Sequence, residues 1–306
     1  MMVYFEFPRV AARRGKTNKE HRVDIVTEPG RFREICRGWR AKGARTALVP
    51  TMGYFHEGHL SLMRWAGENA DKVLVSLFVN PAQFGPNEDL KSYPRDPDRD
   101  AALAGAQGVD VLFAPQADKL YAPDHGTWVR VLDLGRRLCG KTRPGHFQGV
   151  ATVVAMLLHL AVPDMAVFGE KDRQQLVIIR KMVTDLHFGT EIVGRPTVRE
   201  PDGLALSSRN TYLTGEERAQ APHIHAGLCL ARDLAAKGEG RAKVLRDALL
   251  AYFAKHMPLA VVDYAKLVDP ESLKPVSRIT RPTLAAVAVY LGRTRLIDNV
   301  LLGPGA

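Results

Sequence analysis

The chain has 306 residues, 46% hydrophobic and 25% charged, with 43 Lys+Arg against 33 Asp+Glu and a formal charge of +10. That length suits one large domain or two modest ones, and the composition excludes a disordered chain or a disulfide scaffold. Three widely spaced cysteines, Cys36, Cys139 and Cys229, argue against a cysteine-based metal site and predict a reduced, cytoplasmic protein.

The charge is uneven. Residues 1–22 hold six Lys/Arg and two Glu, a local charge of +4, and read as a basic N-terminal extension; +6 remains for the rest. No apolar h-region opens the chain, and the longest apolar run, Gly149 to Val162, is interrupted by His159. A membrane helix needs about 20 apolar residues, so neither a secretory signal nor a membrane span is predicted. A basic chain suits a nucleic-acid binder or an enzyme for anionic substrates, and the motifs must decide.

From Val23 onward apolar runs alternate with helical patterns. Strands are predicted at Thr46–Pro50, Lys72–Val79, Val109–Ala114, Trp128–Leu132, Met165–Phe168 and Glu191–Arg195. Helices are predicted at Glu57–Ala70, Asp98–Gln107, Gly149–Ala161 and Arg173–His187. The nearly continuous β-branched run at 72–79 is what a strand covered on both faces looks like. This rhythm predicts an α/β fold: a Rossmann-like doubly wound parallel sheet over 23–197. Past Thr197, helices at Glu216–Ala236 and Arg241–His256 precede strands at Val261–Val268 and Thr283–Leu291, a smaller C-terminal α+β domain over 198–306. Doubly wound sheets bind ligands at the strand carboxyl ends, here just after Pro50, Val79 and Phe168.

Each of those places carries polar chemistry. In Pro50–His59, His56 and His59 flank Gly58 at a strand-to-helix turn. A helix start offers unpaired N–H groups to phosphate, glycine admits close approach, and two imidazoles can donate to a departing polyphosphate. The alternative is a pair of capping and packing histidines. H-x-G-H lacks the spacing of a zinc helix. In Asn80-Pro81-Ala82-Gln83, the two carboxamides suit hydroxyls and a carboxylate, although Asn-Pro is also a common turn signal. In Gly169–Gln175, Lys171 can neutralise phosphate, Asp172 can cap the helix or accept from a ribose, and Gln175 shares a helix face with Lys171. In Leu206-Ser207-Ser208-Arg209, hydroxyls and a guanidinium offer a loop of phosphate donors. There is no P-loop and no evident serine or cysteine nucleophile. The combination predicts attack by a substrate oxygen on the α-phosphorus of a nucleotide, driven by positioning and charge stabilisation.

From about Val23 to Leu302 the chain resembles the pantothenate synthetase (pantoate–β-alanine ligase) family. The resemblance lies in VPTMGYFHEGHLSL, SLFVNPAQFGPNEDLKSYPRD, RPGHFQGVATVV, FGEKDRQQL, PTVREPDGLALSSRNTYL and RLIDN. It implies ATP-dependent condensation of pantoate with β-alanine through a pantoyl adenylate, with magnesium, in a homodimer that binds neither nucleic acid nor membrane. By resemblance, His56 and His59 contact phosphate, and His59 is the proton donor. Met52, Gly53, Gly58, Gly169, Lys171, Asp172, Val198, Leu206, Ser207, Ser208 and Arg209 match ATP-binding positions; Lys171 and Arg209 rank with the histidines as catalytic. Gln83 and Gln175 match the pantoate ligands, Gln83 also serving β-alanine, while Asn80, Tyr93 and His146 have less defined roles. Asp100 matches a magnesium position, although Arg99 stands where a second acid is expected. Arg173 replaces an aromatic residue, and residues 1–22 have no counterpart. Other H-x-G-H nucleotidyltransferases, among them a truncated aminoacyl-tRNA synthetase relative, fit FVNP-x-QF and GEKD-x-QQ less well; a nucleic-acid binder would rely on the basic extension alone.

Overall fold

The computed structural model describes residues 23–86 and 88–304, so the basic extension at 1–22 lies outside the described residues. Six parallel strands build the first sheet: β1 (Asp24–Val26), β2 (Thr46–Thr51), β3 (Lys72–Leu77), β4 (Val111–Phe113), β5 (Met165–Gly169) and β6 (Glu191–Arg195). Their spatial order is β1-β4-β3-β2-β5-β6. Successive strand residues face opposite sides. Leu48 and Leu74 therefore enter one core layer, while Ala47, Val49, Val73 and Val75 enter the other. Helices α1 (Pro29–Ala41), α6 (His146–Ala161) and α7 (Arg173–Asp185) cover the first side. Helices α2 (Glu57–Asn69) and α3 (Pro97–Ala106) cover the second. Two single-turn helices, α4 (Ala117–Leu120) and α5 (Cys139–Thr142), lie in the connection between β4 and α6.

The chain runs outward from β2 through β3 to β4, then returns to place β5 on the other side of β2. That reversal opens a crevice beyond the carboxyl ends of β2 and β5. The segments that follow those strands are the H-x-G-H loop and the Gly169–Asp172 turn.

In the second unit α8 (Gly215–Gln220) leads into α9 (His223–Ala236) and α10 (Ala242–His256), which pack on an antiparallel sheet in the order β7-β8-β9. Its strands are β7 (Ala260–Val268), β8 (Thr283–Leu291) and β9 (Thr294–Leu302). The single helix expected at 216–236 is broken because Pro222, which has no N–H, stands before α9. No strand forms at 128–132: Trp128 and Leu132 are exposed, and the Val129 amide donates to Thr152 Oγ1 rather than to a neighbouring strand. Three elements gave little signal: β1 has only three residues, α1 precedes the first strongly apolar run, and Arg295, Asp298 and Asn299 interrupt the alternation of β9. Among the described residues no helix is long and apolar enough to cross a membrane.

Candidate active site

A cavity of about 210 Å³ occupies the crevice. Met52, His56, Gly58, His59, Gln83, Gly169, Lys171, Asp172, Gln175, Val198, Leu206, Ser207, Ser208 and Arg209 all line it; Gly53 and Asp100 do not. Its apolar wall is the face of α6 bearing Val150, Val153, Val154 and Leu157.

The first loop is organised by its histidines. His56 caps α2: its Nδ1 accepts from the Gly58 amide at 3.1 Å, while His59 Nδ1 accepts from the His56 amide at 3.4 Å. An accepting Nδ1 carries no proton, so each neutral ring bears its hydrogen on Nε2. Burial and the nearby Lys171 charge lower His56 to about 4. Burial, His56 and Lys171 hold His59 well below 6.5. Two neutral Nε2–H donors result, and a bound polyanion would favour their protonated forms. Gly58 is required by the cap itself, because a Cβ there would lie 2.9 Å from His56 Cε1 and Nδ1. The cap gives this glycine a second reason beside the expected close approach of a ligand.

Asp100 braces the same loop from behind. It is 1% exposed, and its two oxygens accept from the Tyr54 and Phe55 amides, each at 2.7 Å. Burial raises its pKa against the pull of those amides. Gly53 (φ 84°) and Tyr54 (φ 53°) make the tight turn over it, and a Cβ on Gly53 would lie 3.0 Å from Asp100 Oδ2. The magnesium role expected of Asp100 does not fit: the carboxylate is sealed off and already committed to backbone N–H groups. Among the described residues no group of three or more His, Cys, Asp or Glu could hold a metal ion.

The two carboxamides after β3 divide their labour. Asn80 Nδ2 donates to Gln83 Oε1 and Gly149 O, each at 3.1 Å, and its Oδ1 accepts from Tyr121 Oη and the Ala82 amide. It is a structural tie. With Oε1 occupied, Gln83 turns its Nε2 towards Met52 Sδ at 2.9 Å, a weak acceptor that a substrate oxygen can displace. His146 Nδ1 donates to Gln83 O at 2.7 Å, which leaves Nε2 to accept from Arg143 at 3.1 Å. Burial and Arg143 lower His146 to about 4. His146 is thus a brace for Gln83. Close packing of α6 needs Gly149, whose Cβ would fall 2.3 Å from Ala82 O.

Adjacent glutamines on α7 also separate. Gln174 is buried and spends its amide on the Cys139 amide and on the Leu134 and Arg137 carbonyls, whereas Gln175 faces the cavity. Lys171 Nζ lies 3.7 Å from Asp172 Oδ2. Ser208 Oγ donates to Tyr54 O at 3.4 Å, joining the Ser207–Arg209 segment to the first loop. Arg209 is held by a bidentate pair with Asp89 at 2.8 and 2.9 Å and lies over the Tyr93 ring. Asp89 escaped the sequence reading, since an acid partner 120 residues away has no local signature. A second cavity of about 800 Å³ adjoins the first, sharing Lys171, Asp172, Gln175, Ser207 and Arg209, and extends to Arg295, Asp298 and Asn299 of β9.

Fold and cavity together define a doubly wound α/β protein with a polar-lined cavity at the topological switch point. The family model described as pantoate-beta-alanine ligase matches residues 24–301. The chain is 58% identical over 280 residues to pantothenate synthetase of Nitratidesulfovibrio vulgaris (strain DP4), covering 92% of this chain and 99% of that protein. It is 53% identical over 280 residues to the Oleidesulfovibrio alaskensis pantothenate synthetase, covering 92% and 100%. Pantothenate synthetase from Thermus thermophilus superposes with a TM-score of 0.87 at 44% identity, covering 92% of this chain and 100% of that one. Pantoate-beta-alanine ligase from Francisella tularensis, complexed with beta-gamma ATP and beta-alanine, gives 0.75 at 33% identity, covering 91% and 97%. The chain belongs to the pantoate–β-alanine ligase family, and is an enzyme that joins the two compounds for which that family is named.

Proposed function

We propose that the reaction runs through a pantoyl adenylate built in the crevice. The observation that carries this reading is the meeting, in one cavity, of the neutral His56–His59 pair, Lys171 and the Gln83 carboxamide. ATP places its triphosphate against the α2 start and Lys171, its ribose near Gly169 and Asp172, and its adenine beside Val198. Pantoate lies against the apolar wall of α6 with its polar groups on Gln83 and Gln175. Its carboxylate oxygen bonds to the α-phosphorus as the bond to the bridging oxygen breaks, and pyrophosphate leaves. His59 and His56 donate from Nε2 to the charge that builds on it, and Ser207, Ser208 and Arg209 close on the same oxygens. The amine of β-alanine, in reach of Gln83, then attacks the acyl carbon. The C–N bond forms, AMP departs with the former carboxylate oxygen, and the nitrogen gives up its proton to solvent.

Magnesium enters with the triphosphate as the metal–nucleotide substrate. The boundary between the two units is put at 197/198, shortly after β6 ends at Arg195. A homodimer and a cytoplasmic location complete this reading, and sedimentation of the purified chain tests the first. ATP–pyrophosphate exchange with pantoate present and β-alanine absent tests the chemistry. Pantoate-dependent exchange is expected; its absence in protein that still makes pantothenate would refute the adenylate.

A further inference from the structure

The stretch Arg295–Asn299 has no part in the chemistry above, yet β9 borders the second cavity and two of its side chains reach the nucleotide loops. Asn299 Nδ2 donates to Glu170 O at 3.0 Å and to Lys171 O at 2.9 Å. One carboxamide nitrogen carries two hydrogens, so it can hold two successive carbonyls of a turn. That 3₁₀ turn, Glu170–Asp172, presents Lys171 to the crevice. Asp298 is 3% exposed and accepts a bidentate pair from Arg199 at 2.7 and 2.9 Å. Arg199 also donates to Gly203 O at 3.1 Å and bridges to Ala205, and the Leu206 amide donates to Val198 O at 3.0 Å. These bonds shape the hairpin that delivers Leu206–Arg209. The Asn299 backbone amide donates to Asp298 Oδ1 at 2.8 Å and fixes the Asp298 carboxylate on the strand. Consecutive strand residues point to opposite sides. One short piece of β9 can therefore hold two loops.

We infer that Asp298 and Asn299 are positioning residues for adenylate formation. They set the separation of the Lys171 turn and the Ser207–Arg209 segment, so that both cations meet one triphosphate. This rests on the reading of Lys171 and Arg209 as triphosphate ligands. A displacement near 1 Å at such a site costs on the order of 10²-fold in rate.

The test uses Asn299→Asp, which keeps the size but turns an oxygen towards two carbonyl oxygens, together with Asn299→Ala. Two rates are read in full-length enzyme: pantoate-dependent ATP–pyrophosphate exchange, and transfer of supplied pantoyl adenylate to β-alanine. Exchange should fall about tenfold or more with a raised KM for ATP, while transfer changes less than about twofold. Equal losses in both would mean a general structural defect and overturn the inference. If the aspartate variant does not fold, the alanine variant is combined with Lys171→Ala. A residue acting through Lys171 adds no further loss of exchange in that background; multiplying losses overturn it. Normal exchange in Lys171→Ala alone would instead refute the underlying reading of Lys171.

Discussion

Replacing Gly58 by alanine separates stability from catalysis. The added Cβ would sit 2.9 Å from two atoms of the His56 ring. Ordinary contact begins near 3.4 Å, so the ring must retreat by about half an ångström. The Nδ1 bond to the Gly58 amide starts at 3.1 Å and stretches past the useful limit. Losing such a cap costs about 1 kcal/mol, whereas alanine in place of glycine in a helix returns up to about 1 kcal/mol. Folding stability should therefore change little. The imidazole, however, has left the position from which, in the proposed reaction, it donates to the leaving group. If 1 Å costs about 10²-fold, half that costs about tenfold. Thermal unfolding and ATP–pyrophosphate exchange are measured on the same preparation. Exchange within about twofold of wild type, with an unchanged melting temperature, would refute the claim that Gly58 exists for the His56 cap.

Asp100→Asn leaves one of the two loop amides facing an NH₂ group, a local cost of about 1–3 kcal/mol. Exchange should drop equally at all magnesium concentrations; recovery at high magnesium would restore Asp100 as a metal ligand. His56 and His146 hold their folded pKa values near 4, below the usual 6.5. The unfolded chain then takes up protons from about pH 6.5 downward that the folded chain refuses until about pH 4, so stability is lost as the pH is lowered across that window. Imidazole NMR titration of the ligand-free enzyme should show neither ring charging above pH 5. A His56 midpoint near 6.5 would contradict the burial argument.

The α/β class, the strands that build the switch point and most of the polar residues that line the cavity were legible in residue order, while Met52 and Val198 came only from the family resemblance. Parallel strands buried on both faces need near-continuous apolar runs, and the polar clusters between those runs fall at their carboxyl ends. Edge elements were less legible: β1 is short, and β9 spends Arg295, Asp298 and Asn299 on contacts outside its alternating apolar face. Apolar alternation at 128–132 gave a false strand, because it does not reveal whether a backbone partner lies alongside.

Packing decides which polar side chains are taken up by the scaffold and which are left facing the cavity. Asn80 and Gln83 read alike in sequence, as do Gln174 and Gln175, yet Asn80 and Gln174 spend both ends of their amides on protein partners, while Gln83 keeps Nε2 for a weak sulfur acceptor and Gln175 faces the cavity. Asp100 changed from a metal ligand to a loop brace for the same reason. A carboxylate's role depends on which groups surround it, and its partners here lie 45 and 46 residues away. The Arg209–Asp89 and Asn299–Lys171 contacts span 120 and 128 residues. Such pairings arise when the chain folds back on itself and the two units meet, which no local pattern of residues encodes.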